Sequence, residues 1–271
     1  MRIHIGYDIT FQCPQPTPLI LTLNVHYSRV SDLERPDHQH LEPSLPLTSF
    51  RDSFGNWCTR LVAPTGSLRV RADAVIGDTG SLEHLPHTGA KVAIQDLPEE
   101  ALIFLLGSRY CETDLLGEKA WSLFGHISDG AVTVRAICDY VHKTLTFGYQ
   151  HADPTRGAAR ALSEGHGVCR DFAHLAITLC RCMNIPARYC TGYLGDIGVP
   201  PADAPMDFSA WFEAYVDGTW HTFDARHNCP RIGRVLIGRG RDATDVALST
   251  GFGPHELSQF QVWTDELPEH A

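Results

Sequence analysis

The chain has 271 residues, enough for two domains or one large one, and 43% of them are apolar, which is ordinary for a protein with a hydrophobic core. It carries 22 Lys and Arg against 32 Asp and Glu, a formal charge of −10. An acidic chain is a poor general ligand for nucleic acid or an anionic membrane surface, so we expect neither as a partner. No apolar stretch has the roughly 18 residues that a membrane-spanning helix needs.

Nine cysteines and 15 histidines make disulfides and metal ligation the first questions of chemistry. The opening residues, MRIHIGYDITFQC, have no apolar segment after a basic start, so we expect a cytoplasmic protein with reduced thiols. Cys180 and Cys182 would point about 200° apart on a helix, which disfavours joint chelation. The sequence contains neither Cys-x-x-Cys nor His-Glu-x-x-His, and no carboxylate-rich calcium loop. We expect no metal site and no cofactor.

The first third of the chain has the period-two hydrophobicity of half-buried strands. Apolar residues alternate with others in RIHIGYDIT, in LILTLNV between Leu19 and Val25, and in SLRVRADAVI between Leu68 and Ile76. Turn signals such as Ser53-Phe54-Gly55-Asn56 separate these runs. The pattern predicts a small antiparallel sandwich over residues 1–80.

The middle of the chain has helical periodicity. Ser128 or Asp129 is a candidate cap for AVTVRAICDYVHKTL, which repeats apolar residues at helical spacing. A glycine-rich loop then leads into a second helix, predicted from about Val168 to Met183 and ended by Pro186. A strand is expected at residues 187–194 and a last strand at FQVWTDEL. The fold class predicted for the whole chain is α+β.

The stretch DFSAWFEAYVDGTWHTFDARHN predicts a hairpin that turns at Asp217-Gly218. A two-residue turn places Ser209 and Asp224 on one face, diagonally across the strands, at a backbone separation of roughly 7–8 Å. The expected pairs are Val216 with Thr219, Tyr215 with Trp220, Glu213 with Thr222, Trp211 with Asp224 and Ser209 with Arg226. A hydroxyl and a carboxylate would therefore lie side by side in an otherwise apolar strand pair.

Cys169 is the candidate nucleophile. It follows a glycine loop at the predicted start of a helix, where free N–H groups and the helix dipole favour a thiolate and a developing oxyanion. The alternative is a buried core cysteine, but the adjacent Arg170 and Asp171 argue against a purely apolar site. Cys180 lies eleven residues further on, nearly on the same helix face, and is expected to pack in the core.

The blocks G-V-C-R-D-F-A-H-L-A, I-P-A-R-Y-C-T-G-Y-L, A-W-F-E-A-Y and W-H-T-F-D together resemble the bacterial transglutaminase-like superfamily, in its cysteine-protease branch. The resemblance implies a β-sandwich at residues 1–80 followed by a papain-like core at 90–271. It also implies a Cys–His–Asp triad in which Cys169 is the nucleophile and Asp224 the orienting carboxylate. The histidine of this family directly precedes Ala-Trp, and Ser209 occupies that position here.

Serine is not a base near neutral pH, so three hypotheses remain open. Another histidine takes the role, with His227 favoured because it closely follows Asp224, and with His166 and His174 as weaker candidates. Alternatively, Ser209 and the helix end alone activate the thiol, which would give slow chemistry. In the third hypothesis the site has lost catalysis. His221 is excluded because strand parity places it on the face opposite Asp224.

The favoured function is therefore thiol-dependent acyl transfer on amide bonds, either hydrolysis of a peptide or isopeptide bond or transfer to an amine, with a peptide or protein as substrate. The rival is a non-catalytic binding module built on the same fold. Composition carries no signal for an oligomeric state.

Two further expectations concern charged side chains. Arg188 on a core strand needs a carboxylate partner, and Asp171 is a candidate. The Arg/Gly-rich segment PRIGRVLIGRGRDATDVAL lacks the Gly-Lys-Ser/Thr of a phosphate-binding loop, so its arginines are expected to pair with Asp242, Asp245 and other acidic residues.

Overall fold

The computed structural model describes residues 1–201 and 205–268 as a mixed α+β fold, as predicted. Seven strands occupy the first 77 residues: β1 (Arg2–Cys13), β2 (Thr17–Leu21), β3 (Leu33–Arg35), β4 (His40–Glu42), β5 (Leu47–Arg51), β6 (Trp57–Ala63) and β7 (Gly66–Gly77). The helices are α1 (Glu99–Leu102), α2 (Thr113–Phe124), α3 (Gly130–Thr144), α4 (Ala158–Glu164) and α5 (Cys169–Cys182). The later strands are β8 (Thr146–Phe147), β9 (His166–Gly167), β10 (Ala187–Tyr193), β11 (Ser209–Val216), β12 (Thr219–Phe223), β13 (Val235–Gly240), β14 (Ser249–Gly251) and β15 (Glu256–Leu267).

Two antiparallel sheets form the predicted sandwich. One has the strand order β15-β1-β7-β3 with β4 also paired to β7, and the other has the order β14-β2-β6-β5. The alternation in β1 and β7 is confirmed, because Ile3, Ile5, Leu68 and Val70 are all fully buried between the sheets. The strand expected at residues 19–25 is shorter than predicted, since β2 ends at Leu21.

The last two strands of the chain belong to this sandwich. Strand β15 pairs with β1 over almost its whole length, from Arg2 opposite Leu267 to Gln12 opposite Glu256, and β14 pairs with β2. Antiparallel pairing of this length buries the backbone groups of β1 on both sides. The predicted core region, residues 90–271, thus returns its final strands to the sheets of residues 1–80, so the sandwich is built from both ends of the chain.

The second layered unit is a four-stranded antiparallel sheet, β12-β11-β10-β13, packed against helices α3 and α5, and α2 packs on α5. Helix α5 is almost entirely buried and lies against β11 and β10, so that even its polar side chains Asp171, His174 and Arg181 are buried. Asp129 caps α3 by accepting the Val132 N–H at 2.8 Å, and this settles the choice between Ser128 and Asp129. Cys180 lies in the core, as expected.

The hairpin turn forms where the sequence predicts it. Asp217 and Gly218 have φ values of 52° and 78°, the two positive values of a type I′ turn. Val216 pairs with Thr219 and Tyr215 with Trp220, as expected for a two-residue loop. In the part of the chain that the structure describes, no helix has the length and apolarity needed to cross a membrane.

Candidate functional site

Cys169 is the first residue of helix α5, and the local sequence explains how the chain reaches it. Asp171, in the first turn, folds back so that its carboxylate accepts the Val168 N–H at 2.8 Å. A Cβ at Gly167 would lie 2.6 Å from this carboxylate, so only glycine leaves room for the return. The first N–H groups of α5 have no i−4 carbonyl within the helix and lie beside the thiol.

The ion pair expected between Asp171 and Arg188 does not form. Asp171 instead accepts from Arg156 at 3.3 Å, in the loop that covers the start of α5. Arg188 points along the sheet, pairs with Glu213 across the β10–β11 ladder at 2.5 Å and stacks on the Trp220 ring. The cross-strand carboxylate is the nearer partner for a strand arginine, whereas Asp171 is held by capping its own helix.

Cys169 is a half-buried residue, and its thiol lies in a setting that disfavours ionisation mainly by desolvation. Burial raises the pKa of this thiol to about 11, and the negative charge of Asp207 adds to the rise. Arg226 and the Ala210 N–H act in the opposite direction. At neutral pH the resting group is therefore a thiol rather than a thiolate, and nucleophilic attack requires a proton acceptor.

Asp224 and His227 form a buried carboxylate–imidazole pair. The His227 Nδ1 lies 2.7 Å from the Asp224 Oδ2, and Arg234 donates to the same oxygen at 2.8 Å. Burial by itself would raise the pKa of Asp224, but Arg234 and His227 outweigh it, and the pKa lies well below its usual range. An ionised Asp224 fixes the proton of the neutral His227 ring on Nδ1 and leaves Nε2 as an acceptor.

The hairpin ladder ends earlier than predicted. Its last pair is Phe212 with Phe223, so the expected pairs of Trp211 with Asp224 and Ser209 with Arg226 do not form. The physical reason is a tight turn in which the Asp224 Oδ1 accepts the N–H groups of Arg226 and His227, at 2.9 and 3.0 Å. This turn carries the chain away from β11 and places the His227 ring against Asp224.

Ser209, at the position where the family has its histidine, begins strand β11 and pairs with Gly192 on the neighbouring strand. The side chain is buried, and its Oγ has no hydrogen-bond partner among the described residues. A buried hydroxyl without a partner loses its solvation without compensation.

The two alternative histidines are engaged elsewhere. The His174 ring is buried between Tyr110 and Tyr189, and its Nε2 accepts the Ala243 N–H at 3.1 Å. Its burial lowers the pKa to about 3. The His166 ring packs against the His151 ring at 4.2 Å and faces Glu164. By contrast, only His227 of the three sequence candidates lines a described cavity together with Cys169.

Cys169 lies where two cavities meet, because Cys169, Asp207, Phe208 and Ser209 line both. The larger cavity, about 570 Å³, extends from the thiol towards strands β1 and β15 of the sandwich. The smaller, about 340 Å³, contains His227 and extends along the loop that follows β12. The predicted site residues Cys169, Ser209 and His227 thus share one cleft, with Asp224 behind His227.

Three residues of the site escaped the sequence analysis. Asp207 and Arg226 act electrostatically on the thiol, and Arg234 is the cation that holds Asp224 ionised. Asp207 lies two residues before Ser209, and Arg226 lies between Asp224 and His227, so their nearness in sequence to the predicted site residues was a usable signal. Arg234 lies just before β13, at the opposite edge of the sheet from β12, and the local pattern does not reveal that its side chain reaches Asp224.

The arginines of the Arg/Gly-rich segment pair with carboxylates, in part as expected. Arg241 binds Asp245 at 2.9 Å, whereas Arg234 binds Glu83 and Asp224, and Arg231 lies 3.6 Å from Asp196. Within residues 1–201 and 205–268, no three or more His, Cys, Asp or Glu side chains are grouped to hold a metal ion.

Comparison with known proteins identifies the family and the fold of the chain. Residues 122–225 match the transglutaminase-like superfamily profile, a range that includes Cys169, Ser209 and Asp224. The crystal structure of a candidate cysteine protease from Cytophaga hutchinsonii is 30% identical and superposes with a TM-score of 0.85 over 100% of this chain and 92% of that one. The chain belongs to the transglutaminase-like superfamily.

Curated relatives are similar over a shorter span. An uncharacterised protein of Mycobacterium leprae is 38% identical over 94 residues, which is 32% of this chain and 32% of that protein. An uncharacterised protein of Mycobacterium tuberculosis is 27% identical over 146 residues, or 50% of this chain and 46% of that protein. The chain therefore spans between a third and a half of the length of these relatives, and their whole-protein activities carry nothing over to it.

Proposed function

We propose that the protein catalyses thiol-dependent acyl transfer on the amide bonds of a peptide or protein, with Cys169 as nucleophile. The observation that supports this most directly is the shared cleft, which is lined both by a cysteine at a helix start and by a histidine held by a buried aspartate. The fold of the superfamily supports acyl transfer in general. Because the nucleophile has to be a free thiol, we place the activity in the reducing cytoplasm.

The proposed cycle assigns one task to each group. The Cys169 Sγ attacks the carbonyl carbon while its proton passes to the Nε2 of His227, and the N–H groups at the start of α5 receive the oxyanion. His227 then returns the proton to the amine as the C–N bond breaks, leaving a thioester on Cys169. Water or a second amine attacks the thioester and releases the acyl group. Asp224 stabilises the imidazolium, and Ser209 contacts the bound substrate.

A second function, a non-catalytic peptide-binding module, is favoured by one specific observation. The Cys169 thiol has a pKa of about 11, and strand β11 carries a serine at position 209 instead of a base that could accept the thiol proton. Such a protein would retain the cleft as a binding surface and leave Cys169 chemically ordinary.

Acyl-enzyme formation separates the two functions. The protein is incubated with an activated p-nitrophenyl ester, and the peptide containing Cys169 is examined by mass spectrometry for the acyl adduct. Catalysis predicts an adduct that Cys169→Ala abolishes and that His227→Ala slows by about 10²–10⁴-fold. Cys229→Ala serves as the matched control, because Cys229 is exposed and lines the same cavity as His227. Equal labelling of Cys169 and Cys229 would support the binding module instead.

A further inference from the structure

The two cavities that meet at Cys169 differ in chemistry. We propose that the larger one is the subsite for a bulky apolar acyl side chain, with its wall supplied by β1 and β15 of the sandwich, and that the smaller one takes the amine. This inference rests on the proposed function, since it assigns the substrate class of the same nucleophile. It makes the sandwich part of the substrate site.

The first argument is exposed apolar surface that continues from the cleft. Leu257 and Phe260 on β15 line the larger cavity and are 49% and 38% exposed, large fractions for side chains of this kind on a paired strand. They lie opposite Phe11 and Ile9 of β1 in the strand register. Covering such a surface with an apolar ligand removes it from water, which is favourable in proportion to the area covered.

The second argument is a continuous aromatic connection to the nucleophile. The Phe260 ring lies 5.9 Å from the Phe208 ring, between centroids. Phe208 is the residue between Asp207 and Ser209, and all three line both cavities with Cys169. A side chain next to the scissile carbonyl would therefore run from the thiol along Phe208 towards Phe260. A volume of about 570 Å³ accommodates an aromatic side chain and its flanking backbone.

The third argument is the contrast with the smaller cavity. Besides the shared Asp207, its lining includes Asp196, Arg226, His227 and Arg231, whereas among the described residues Arg170 is the only charged one that the larger cavity adds. The leaving or accepting amine exchanges a proton during the reaction and therefore needs polar groups and His227 nearby. The acyl side chain needs no charged group, and the apolar side chains that line the larger cavity, Phe208, Leu257 and Phe260 among them, offer it dispersion and desolvation.

The test compares acyl groups that share one leaving group. The rate of Cys169 acylation is measured with p-nitrophenyl acetate and with p-nitrophenyl 3-phenylpropanoate, and the release of p-nitrophenolate is the readout. In this step the Cys169 sulfur replaces the phenolate oxygen at the carbonyl carbon, and the thiol proton goes to the buffer. We expect the phenylpropanoyl ester to react about tenfold faster or more, and Phe260→Ala to remove most of that preference. Leu257→Ala provides a second variant of the same wall.

Phe252→Ala is the matched control, because Phe252 is 63% exposed and lines neither cavity, so it should change neither rate. Binding of N-acetyl-L-phenylalaninamide to Cys169→Ser protein, with and without Phe260→Ala, supplies a readout that needs no catalysis. Equal rates for both esters at Cys169 would overturn the subsite while leaving the proposed function intact. Amide binding that depends on Phe260, without acylation by any ester, would retain the subsite and overturn the function. If Cys169 is acylated by neither ester and amide binding does not depend on Phe260, both the proposed function and the subsite are overturned.

Discussion

Ser209→His is the substitution that most directly tests how the thiol is activated. Ser209 begins β11, is buried, lines both cavities with Cys169 and leaves its Oγ without a described partner. An imidazole at this position would extend into cavity space rather than into packed core. Protonated histidine beside a cysteine brings the thiol pKa into the range of about 3.5–7.5. We therefore expect the substitution to convert a thiol with a pKa of about 11 into a thiolate-forming group.

The size of the gain follows from two opposing effects. With a thiol pKa of about 11, the thiolate fraction at pH 7 is about 10⁻⁴, and a pKa near 7 raises it about 5,000-fold. The less basic thiolate is intrinsically weaker, by about 60-fold over four pKa units with a Brønsted coefficient of about 0.45. The net expectation is an increase of about 80-fold in the rate of disulfide exchange at Cys169. Acyl transfer from an amide should gain more, since the histidine also protonates the leaving amine.

The assay measures the rate at which Cys169 reacts with a small aromatic disulfide as a function of pH, resolved by peptide mass spectrometry. Ser209→Gln is the control, because it fills similar space without a titratable group. A folded Ser209→His protein whose rate and pH profile match those of the wild type would refute the reasoning. Such a result would mean that a side chain at position 209 does not reach the thiol.

Three further predictions follow from the electrostatics. Asp207→Asn should lower the Cys169 pKa and Arg226→Gln should raise it, so the pH profile of Cys169 alkylation should shift in opposite directions in the two variants. A shift in the same direction in both would contradict the opposite effects assigned to these two charges. Arg234→Met should cost about 3–5 kcal/mol in denaturant unfolding by leaving buried Asp224 without its cation, whereas half-exposed Arg241→Met should cost less than about 1 kcal/mol. Burial lowers the pKa of His174 to about 3 in the folded protein, against about 6.5 in the unfolded chain. The contribution of His174 to the free energy of unfolding is therefore complete above about pH 6.5. It declines as the pH falls towards 3, by up to about 1.4 kcal/mol per pH unit. His174→Gln, which retains an acceptor for Ala243, should remove that slope; an unchanged slope would exclude His174 as its source.

Local patterns predicted much of this molecule correctly. Period-two alternation located β1 and β7, and a cap and helical periodicity located α3. The glycine-rich loop and Pro186 bounded α5, and Asp217-Gly218 fixed the hairpin register near its turn. The errors concern contacts between segments far apart in sequence. FQVWTDEL was recognised as a strand, but nothing within it indicates that it pairs with β1 more than 240 residues earlier, as Thr10 opposite Gln259 does.

In the candidate site, too, the local features were predicted correctly and the contacts between different elements were not. The cysteine at a helix start was evident from local sequence, as was the nearness of His227 to Asp224. The hairpin pairs beyond Phe223 were wrong because side-chain hydrogen bonds override a strand register when a carboxylate can accept nearby N–H groups. The Asp171–Arg188 pair was wrong because each residue found a nearer partner in a different element. The hydrogen bond from Arg234 to Asp224 could not be foreseen, because no local pattern indicates it.

The hydrogen bonds of Asp224 lead to a last prediction, about two histidines competing for one carboxylate. A carboxylate has about four acceptor positions, and Asp224 uses four: Oδ1 accepts two N–H groups, and Oδ2 accepts His227 and Arg234. A histidine introduced at position 209 would therefore find no free acceptor to orient its ring. It could ionise Cys169, but its tautomer and direction would be poorly fixed.

Removing His227 should free one of these positions. We expect Ser209→His/His227→Ala to exceed Ser209→His alone in acyl-enzyme formation, although His227→Ala by itself lowers the rate. Such a reversal of sign is the signature of two groups sharing one partner, and the double-mutant cycle measures it directly. If the two substitutions act independently, with His227→Ala slowing both backgrounds equally, His227 and position 209 serve the thiol without sharing Asp224. In that case the four hydrogen bonds of the carboxylate do not limit how a base is oriented at this site.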